Sequence, residues 1–361
     1  MAAATSTASP SSSRIPAAER EKAQNRPIRR GGQDHSVPRA FLSRKEENTM
    51  ARIVIALGGN ALGNNPKEQQ EMIEAACPAL VGLISQGHEI IVSHGNGPQV
   101  GMIHLAFDIA SQADAKVAAM PLQECTAMSQ GYIGYHLQKG IHKELRVQKM
   151  PWQVASVVTQ VVVDKNDPAF RNPTKPIGAF YDDQTAQEMM AADPSLRMKE
   201  DSGRGWRRLV PSPRPMDIAE KKSILNLLDN EYIVIACGGG GIPVVQDENG
   251  DFQGVSAVID KDFASAKLAE LVGADYLFIL TAVDRVCVNF GKPDQKELIS
   301  MTVGEAEKYI EEGQFAPGSM LPKVQAAMSF VKSGWGKRAV IASLEKAPQA
   351  MRGESGTLIT L

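Results

Sequence analysis

The sequence predicts an α/β fold built on a mainly parallel sheet that helices cover on both faces. Two short apolar runs, 53–55 and 90–92, each lead into a loop rich in glycine and asparagine. A helical pattern follows each loop, and the same order of strand, glycine-rich loop and helix returns later in the chain. Continuous apolar strands that alternate with helices are typical of parallel sheets buried on both faces.

The remaining elements follow in chain order. Helices are predicted at 67–86, 100–110, 121–146, 218–228, 261–271, 302–312 and 321–332, and Gly87 is expected to stop the first of them. Further strands are predicted at 154–163 (one long or bent strand), 232–236, 276–280, 339–342 and 357–361. Residues 164–215 are rich in Pro, Gly and charge with little period, which predicts a protruding lobe.

Residues 1–49 differ from everything after them. Ala, Ser, Thr, Pro and Arg dominate, large apolar residues are few, and no helical or strand period emerges. This composition predicts a disordered extension. It has no apolar core of a secretory signal, so we expect either a dispensable extension ahead of Met50 or a targeting segment. The folded domain is predicted to span 50–361.

Composition and charge exclude several classes of protein. Of 361 residues, 43% are hydrophobic, and the formal net charge of −2 gives no reason to expect a nucleic-acid partner. No apolar stretch approaches the roughly 20 residues that span a bilayer. The four cysteines are scattered without a metal-binding spacing, which indicates free thiols in a reducing compartment such as the cytoplasm and makes a zinc site unexpected.

The two glycine-asparagine loops predict a divided anion site. One contains Gly58, Gly59 and Asn60, and the other contains Gly95 and Asn96. Glycine lets backbone N–H groups approach a ligand closely, and the N-terminus of the following helix favours negative charge. The glycine spacing fits neither a dinucleotide fingerprint nor a P-loop. The alternative is that both loops are merely tight strand–helix turns.

A run of four glycines and four framed lysines, that is, lysines with glycine, proline or acidic neighbours, extend the prediction of an anion site. The run starts with Gly238, Gly239 and Gly240 after a predicted strand, and close passage of a phosphate or a small substrate would explain it. Lys175 lies between two prolines, and three further lysines lie on predicted helices with glycine, proline or acidic neighbours: Lys261, Lys267 and Lys323. Solvated surface lysines are the alternative. Asp260 and Asp262 are either helix N-caps or, for Asp262, an acid that orients lysines or a hydrated Mg²⁺.

The motifs together resemble a known family. From about residue 50 to 361 the chain is similar to the carbamate kinases of the amino-acid-kinase superfamily, through the motifs ALGGNA (56–61), SHGNGPQVG (93–101), AMSQGYIGY (127–135), NPTKPIG (172–178), GRGWRRLVPSP (203–213), CGGGGIPVV (237–245), VIDKDFAS (258–265) and FAPGSMLPK (315–323). The resemblance implies an open αβα sandwich and a homodimer. It also implies Mg²⁺-dependent, reversible phosphoryl transfer between carbamoyl phosphate and ADP, commonly the last step of the arginine deiminase pathway.

The resemblance also implies roles for individual residues. The loops at 58–60 and 95–96 would hold carbamoyl phosphate, and Lys175 would reach it from the lobe. Lys261, Lys267 and Lys323 would lie near the phosphates, with Asp262 organising them and serving as the metal ligand. The nucleotide would be bordered by Thr281, Ala282, Val283, Asp284, Ala316, Pro317, Gly318, Ser319 and Met320.

Two other functions stay open at this point. The chain could be another amino-acid kinase, acting on acetylglutamate or UMP, or a catalytically silent sensor of nucleotide or carbamoyl phosphate. The framed lysine and the His-Gly-Asn-Gly-Pro loop favour carbamate kinase over the first alternative. The joint presence of the lysines and Asp262 argues against the second.

Overall fold

The computed structural model describes residues 50–58, 65–201 and 203–361. The predicted extension at 1–49 and the loop residues Gly59 and Asn60 lie outside the described residues. The helices are α1 (Pro66–Ile84), α2 (Gly97–Ala113), α3 (Leu122–Val147), α4 (Asp183–Ala192), α5 (Lys221–Asp229), α6 (Lys261–Leu271), α7 (Val303–Glu311), α8 (Met320–Lys332) and α9 (Ala347–Met351).

The strands belong to several sheets. They are β1 (Arg52–Leu57), β2 (Glu89–His94), β3 (Gln153–Ser156), β4 (Gln160–Val163), β5 (Lys175–Tyr181), β6 (Met198–Glu200), β7 (Trp206–Val210), β8 (Pro215–Ile218), β9 (Tyr232–Ile235), β10 (Ile242–Gln246), β11 (Phe252–Gly254), β12 (Tyr276–Thr281), β13 (Val286–Val288), β14 (Lys296–Leu298), β15 (Ser300–Thr302), β16 (Arg338–Ser343) and β17 (Thr357–Thr360).

Eight of the described strands form the central sheet, in the order β15-β17-β16-β12-β1-β2-β9-β3. Every pair in it is parallel except β16 with β17, which is antiparallel. The predicted mainly parallel sheet is therefore confirmed. Within the described residues, no helix has both the length and the apolar character needed to cross a bilayer.

Helices cover both faces of this sheet, because successive side chains of a strand point to opposite sides. On β1, Ile53 and Ile55 are buried in the core shared with α1 and α3. Their neighbours Val54 and Ala56 are buried in the core shared with α6 and α8. Burial on both faces explains why β1 is apolar from Ile53 to Leu57, and it makes the architecture an αβα sandwich.

The predicted strand at 154–163 is wrong as a single element. Residues 153–156 form β3 in the central sheet, whereas 160–163 form β4 in a second sheet with order β11-β10-β4-β8. The chain turns at Thr159, whose N–H donates to Oε1 of Gln130 at 2.8 Å and whose Oγ1 accepts the N–H of Cys237 at 3.0 Å. These bonds to α3 and to the turn after β9 hold Thr159 at the turn, while its carbonyl accepts the N–H of Ile242 at 2.9 Å and so starts the pairing of β4 with β10.

Other boundaries shifted as well. The predicted helix at 218–228 begins only at Lys221, because residues 215–218 form β8. Strand β10, after the glycine run, was not predicted. Within the segment 164–215, β5, β7 and β6 form a three-stranded antiparallel sheet, and α4 follows β5 in the chain. This sheet brings Lys175, the first residue of β5, to the main body.

Candidate active site

A cavity of about 880 Å³ lies at the carboxyl ends of the central strands. Gly58 follows β1, Gly95 and Asn96 follow β2, and Thr281 ends β12, and all four line it. In parallel sheets the carboxyl ends of the strands share one edge, where ligands bind. The structure therefore brings the described parts of both glycine-asparagine loops to one site.

The glycines after β9 meet close neighbours. A Cβ on Gly239 would lie 2.1 Å from Nδ2 of Asn96, and one on Gly240 would lie 2.2 Å from the carbonyl oxygen of Ile259. A Cβ on Gly238 would lie 2.3 Å from Nε2 of His94. Of the three predicted positions only Gly239 lines the cavity. Close packing therefore accounts for the glycines at these three positions without a ligand. The sequence did not indicate these packing contacts.

Asp262 holds two of the predicted lysines. It lies in the first turn of α6, and its oxygens accept from Nζ of Lys261 and, at 2.8 Å, from Nζ of Lys323 on α8. Burial by itself would raise the pKa of this carboxyl, but the two ammonium groups outweigh it and lower the pKa well below its usual range. Burial is also the main reason why the pKa of Lys261 is lowered.

A second ion pair joins the lobe to the same helix. Nζ of Lys175 pairs with Oδ2 of Asp260, and Oδ1 of Asp260 accepts the N–H of Asp262 at 2.9 Å as the N-cap of α6. Burial and the negative charge of Asp262 oppose ionisation of Asp260, yet Lys175 and Lys261 outweigh them and lower its pKa. All three lysines line the cavity.

The arrangement has the chemistry of an anion site. Three ammonium groups face two carboxylates, so the cluster keeps an excess positive charge. The N-terminus of α6 points its partial positive charge at the same place. Positive charge that is fixed in position before a ligand arrives stabilises phosphate oxygens more strongly than mobile surface charge does.

Lys267 does not join this cluster. It lies on α6, but its Nζ donates to Oε2 of Glu270 at 2.7 Å, and it is absent from the described residues that line the cavity. Lys261 and Lys267 are six residues apart, which on a helix of 3.6 residues per turn turns their side chains away from each other. Its predicted catalytic role stays a prediction without support from this geometry.

The residues predicted to border the nucleotide also fall into two groups, those that line the cavity and those that do not. Thr281, Ala282, Gly318 and Ser319 line the cavity. Asp284 accepts from Oγ of Ser343 at 2.6 Å and pairs with Lys346. The other predicted border residues are not among the described residues that line the cavity: Val283, Ala316, Pro317 and Met320.

Sequence reasoning missed two parts of the wall. Ser343 ends β16, and Leu344 and Glu345 follow it; they could have been found because 339–342 was a predicted parallel strand. The other part is an apolar face of α1 that includes Met72, Ala76 and Ala79. No local signal marks it, because it depends on how α1 packs over the sheet.

Beneath the second loop lies a buried histidine. Nδ1 of His94 donates to the carbonyl of Gly95 at 2.9 Å, since a carbonyl oxygen can only accept. The pKa of His94 is lowered to about 4, mainly by burial and to a smaller extent by Lys261, while the bond to Gly95 opposes the shift. His94 is therefore a neutral support of the loop at neutral pH.

The described side chains offer no ready metal site. Among them, no group of three or more His, Cys, Asp or Glu residues is arranged to hold a metal ion. Both oxygens of Asp262 already accept from ammonium groups. Mg²⁺ commonly binds through substrate phosphates and one or two carboxylates. Among the described residues, Asp262 would therefore hold Mg²⁺ directly only by giving up an ammonium partner.

The fold is that of the amino acid kinase family, whose family model matches residues 51–343 of this chain. The carbamate kinase of Clostridium perfringens is 55% identical over 314 residues, which cover 85% of this chain and 99% of that protein. Carbamate kinase 1 of Enterococcus faecium is 53% identical over 314 residues, with 86% and 99% covered.

A solved structure agrees with these relatives. Carbamate kinase from Giardia lamblia bound to AMP-PNP superposes with a TM-score of 0.79 at 42% identity, covering 87% of this chain and 99% of that chain. The chain therefore belongs to the amino acid kinase family, and within it to the carbamate kinases, which makes it a kinase.

Proposed function

We propose that the protein transfers a phosphoryl group reversibly between carbamoyl phosphate and ADP, yielding ATP and carbamate. The observation that carries this proposal is the convergence of Lys175, Lys261 and Lys323 on one cavity, held by Asp260 and Asp262. The substrate would lie against the loops at 58–60 and 95–96. The names of the relatives support the choice of carbamate as the acceptor.

The nucleotide would approach from the side of Thr281, Ala282, Gly318 and Ser319. A ligand with a triphosphate occupies the Giardia lamblia relative, since AMP-PNP is an ATP analogue. We infer that Val283, Asp284, Ala316, Pro317 and Met320 support this border from behind, because each lies within two residues of one that lines the described cavity.

Phosphoryl transfer requires little covalent chemistry from the protein, so the rate enhancement comes from positioning the reactants and stabilising their charge. The terminal oxygen of ADP is ionised at neutral pH and needs no general base. The lysines would follow the charge that develops on the equatorial oxygens of the transferring group. Asp262 would keep Lys261 and Lys323 at a set separation.

Bound Mg²⁺ would arrive with the nucleotide and would supply positive charge that neutralises its phosphates. Asp262, the metal ligand that the family resemblance implies, would have to give up an ammonium partner to bind it directly. We therefore infer that its main task is to hold the lysines.

Three assays test this function. Purified protein is supplied with ADP and carbamoyl phosphate, and ATP formation is followed by a coupled enzyme. Parallel reactions measure phosphorylation of acetylglutamate and of UMP from ATP. Turnover in the first reaction alone supports the proposal. Faster turnover of either other substrate contradicts it, and binding of nucleotide without any turnover would indicate a sensor.

We also propose a homodimer in the cytoplasm, serving the arginine deiminase pathway. The described surface has exposed apolar side chains on α2 and α3, namely Met102, Ile109 and Tyr135, which a second copy could cover. Light scattering of the wild type and of Ile109→Asp tests the dimer, and an unchanged mass in the variant would contradict this surface.

The proposed location in the cytoplasm is supported by the cysteines. All four are free thiols, as expected in a reducing compartment.

A further inference from the structure

Asp260 makes two contacts that belong to different parts of the fold. Its Oδ1 accepts the N–H of Asp262 and caps α6, while its Oδ2 pairs with Lys175 of β5. Lys175 lies 85 residues away in sequence and in another sheet. One carboxylate thus joins the helix that carries Lys261 and Asp262 to the strand that carries Lys175.

The cap gives this carboxylate a defined place. An N-cap side chain that accepts a helical N–H is held close to the backbone, so few rotamers remain open to it. A lysine, by contrast, has a long flexible stem and loses substantial entropy when its ammonium group is held. Only 29% of the Lys175 side chain is exposed, so its ammonium group is constrained on the cavity wall.

The pair leaves Lys175 able to bind a ligand. An ammonium group has three N–H donors, and the bond to Asp260 uses one of them. The guanidinium of Arg214, 3.4 Å from the ring centre of Phe263, also interacts electrostatically with Asp260, so the carboxylate of Asp260 is attracted by a second positive charge besides Lys175.

We propose that Asp260 is a positioning residue for the phosphoryl transfer: its carboxylate holds the ammonium group of Lys175 over the cavity, aligned with the lysines that Asp262 holds. This inference rests on the proposed function, because it assigns Lys175 a part in turnover. The competing explanation is that Asp260 only caps α6.

Asparagine at position 260 separates the two explanations. Asn caps helices about as well as Asp, so Asp260→Asn keeps the cap and removes the charge that holds Lys175. Asp182 is a matched control, since it caps α4 by accepting the N–H of Thr185 at 2.8 Å and lies outside the described cavity wall. Asp182→Asn makes the same chemical change away from the site.

The experiment is a double-mutant cycle of Asp260→Asn and Lys175→Ala, followed by kcat for ATP formation and by thermal unfolding. We expect Asp260→Asn alone to lower kcat about tenfold, and Lys175→Ala to lower it at least as much. In the Lys175→Ala background we expect Asp260→Asn to change kcat less than about twofold, because the group it positions is gone. Asp182→Asn should leave kcat near that of the wild type.

The outcomes are distinct. Additive losses in the cycle, or a kcat of Asp260→Asn close to that of the wild type, overturn the positioning role and leave the proposed function in place. A drop in Tm for Asp260→Asn that far exceeds that of Asp182→Asn and accounts for the lost activity favours the cap alone and also overturns it. A wild-type protein that forms no ATP removes the proposed function and this inference together.

Discussion

Gly101 of α2 and Gly178 of β5 touch backbone to backbone. A Cβ on Gly101 would lie 2.5 Å from the Cα of Gly178, which itself has a φ of +75°. Gly178 lies three residues after Lys175 on the same strand. Helix α2 starts at the cavity, directly after Asn96. This contact therefore sets the distance between the strand that carries Lys175 and the body of the protein.

We expect Gly101→Ala to lower both stability and turnover. The added methyl group meets backbone, which cannot rotate away, so β5 must move and take Lys175 with it. A destabilisation of about 1–3 kcal/mol is typical of such overpacking, and kcat should fall about tenfold. Chemical unfolding and the ATP-formation assay measure both.

Gly131→Ala provides the control. Gly131 is also within a helix, α3, but a Cβ there meets nothing within 4 Å. Alanine is the better helix former by up to about 1 kcal/mol, so this variant should be as stable as the wild type or more so. If Gly101→Ala behaved like Gly131→Ala, the close packing of α2 on β5 would be irrelevant to function.

Lys323 and Lys267 were both predicted to act near the phosphates, and the structure separates them. We expect Lys323→Ala to lower kcat at least about tenfold, because its ammonium group lines the cavity and pairs with Asp262. Lys267→Ala should stay within about twofold of the wild type, because Lys267 pairs with Glu270. A large loss with Lys267→Ala would restore the role that the sequence indicated.

The carboxylate of Asp262 lies between two like charges, the ammonium groups of Lys261 and Lys323. Asp262→Asn leaves Lys261 and Lys323 without their counter-charge, which should cost about 3 kcal/mol of unfolding free energy and nearly all turnover. Added inorganic phosphate should recover part of the lost Tm, because an anion can replace the carboxylate.

The matched change for this prediction is Asp217→Asn. Asp217, on β8, pairs with Lys221, the first residue of α5, and the two side chains are 41% and 37% exposed. A pair that solvent reaches this well is worth under about 1 kcal/mol, so little stability should be lost. Equal losses in the two variants would mean that the lysines at the cavity do not need Asp262.

His94 makes stability depend on pH. Its pKa is about 4 in the folded protein against 6.5 for an unperturbed histidine, so between these values the unfolded chain binds more protons. Its contribution to stability is therefore intact above pH 6.5 and is lost as the pH falls. From pH 7 to pH 5 the loss amounts to about 2 kcal/mol, at 1.36 kcal/mol per pH unit.

Urea unfolding of the wild type and of His94→Gln at both pH values measures this loss. The variant should lose about 2 kcal/mol less than the wild type over the same interval. His142→Gln, at an exposed histidine of α3, should keep the wild-type pH dependence. An unchanged pH dependence in His94→Gln would show that His94 does not titrate in this range.

The order of strands, loops and helices could be predicted from the sequence because it depends on local pattern. The buried strands β1, β2, β9 and β12 each contain a continuous apolar run, and the start of α7 is marked by Thr302, whose capping box with Glu305 is formed. The break between β3 and β4 could not be predicted from the sequence, because it depends on the hydrogen bond from the N–H of Thr159 to Gln130, which lies on α3.

For the candidate site the sequence by itself determined which residues had the chemistry: the strand-end glycines, the framed lysines and Asp262. These signals are short-range, in residue type and in spacing along the chain. Only the tertiary structure decided which of them meet. Lys175 pairs with Asp260 across 85 positions and Lys323 with Asp262 across 61, while Lys267, within the same helix as Asp262, faces away. Long-range contacts depend on how whole elements pack, and sequence spacing does not record that.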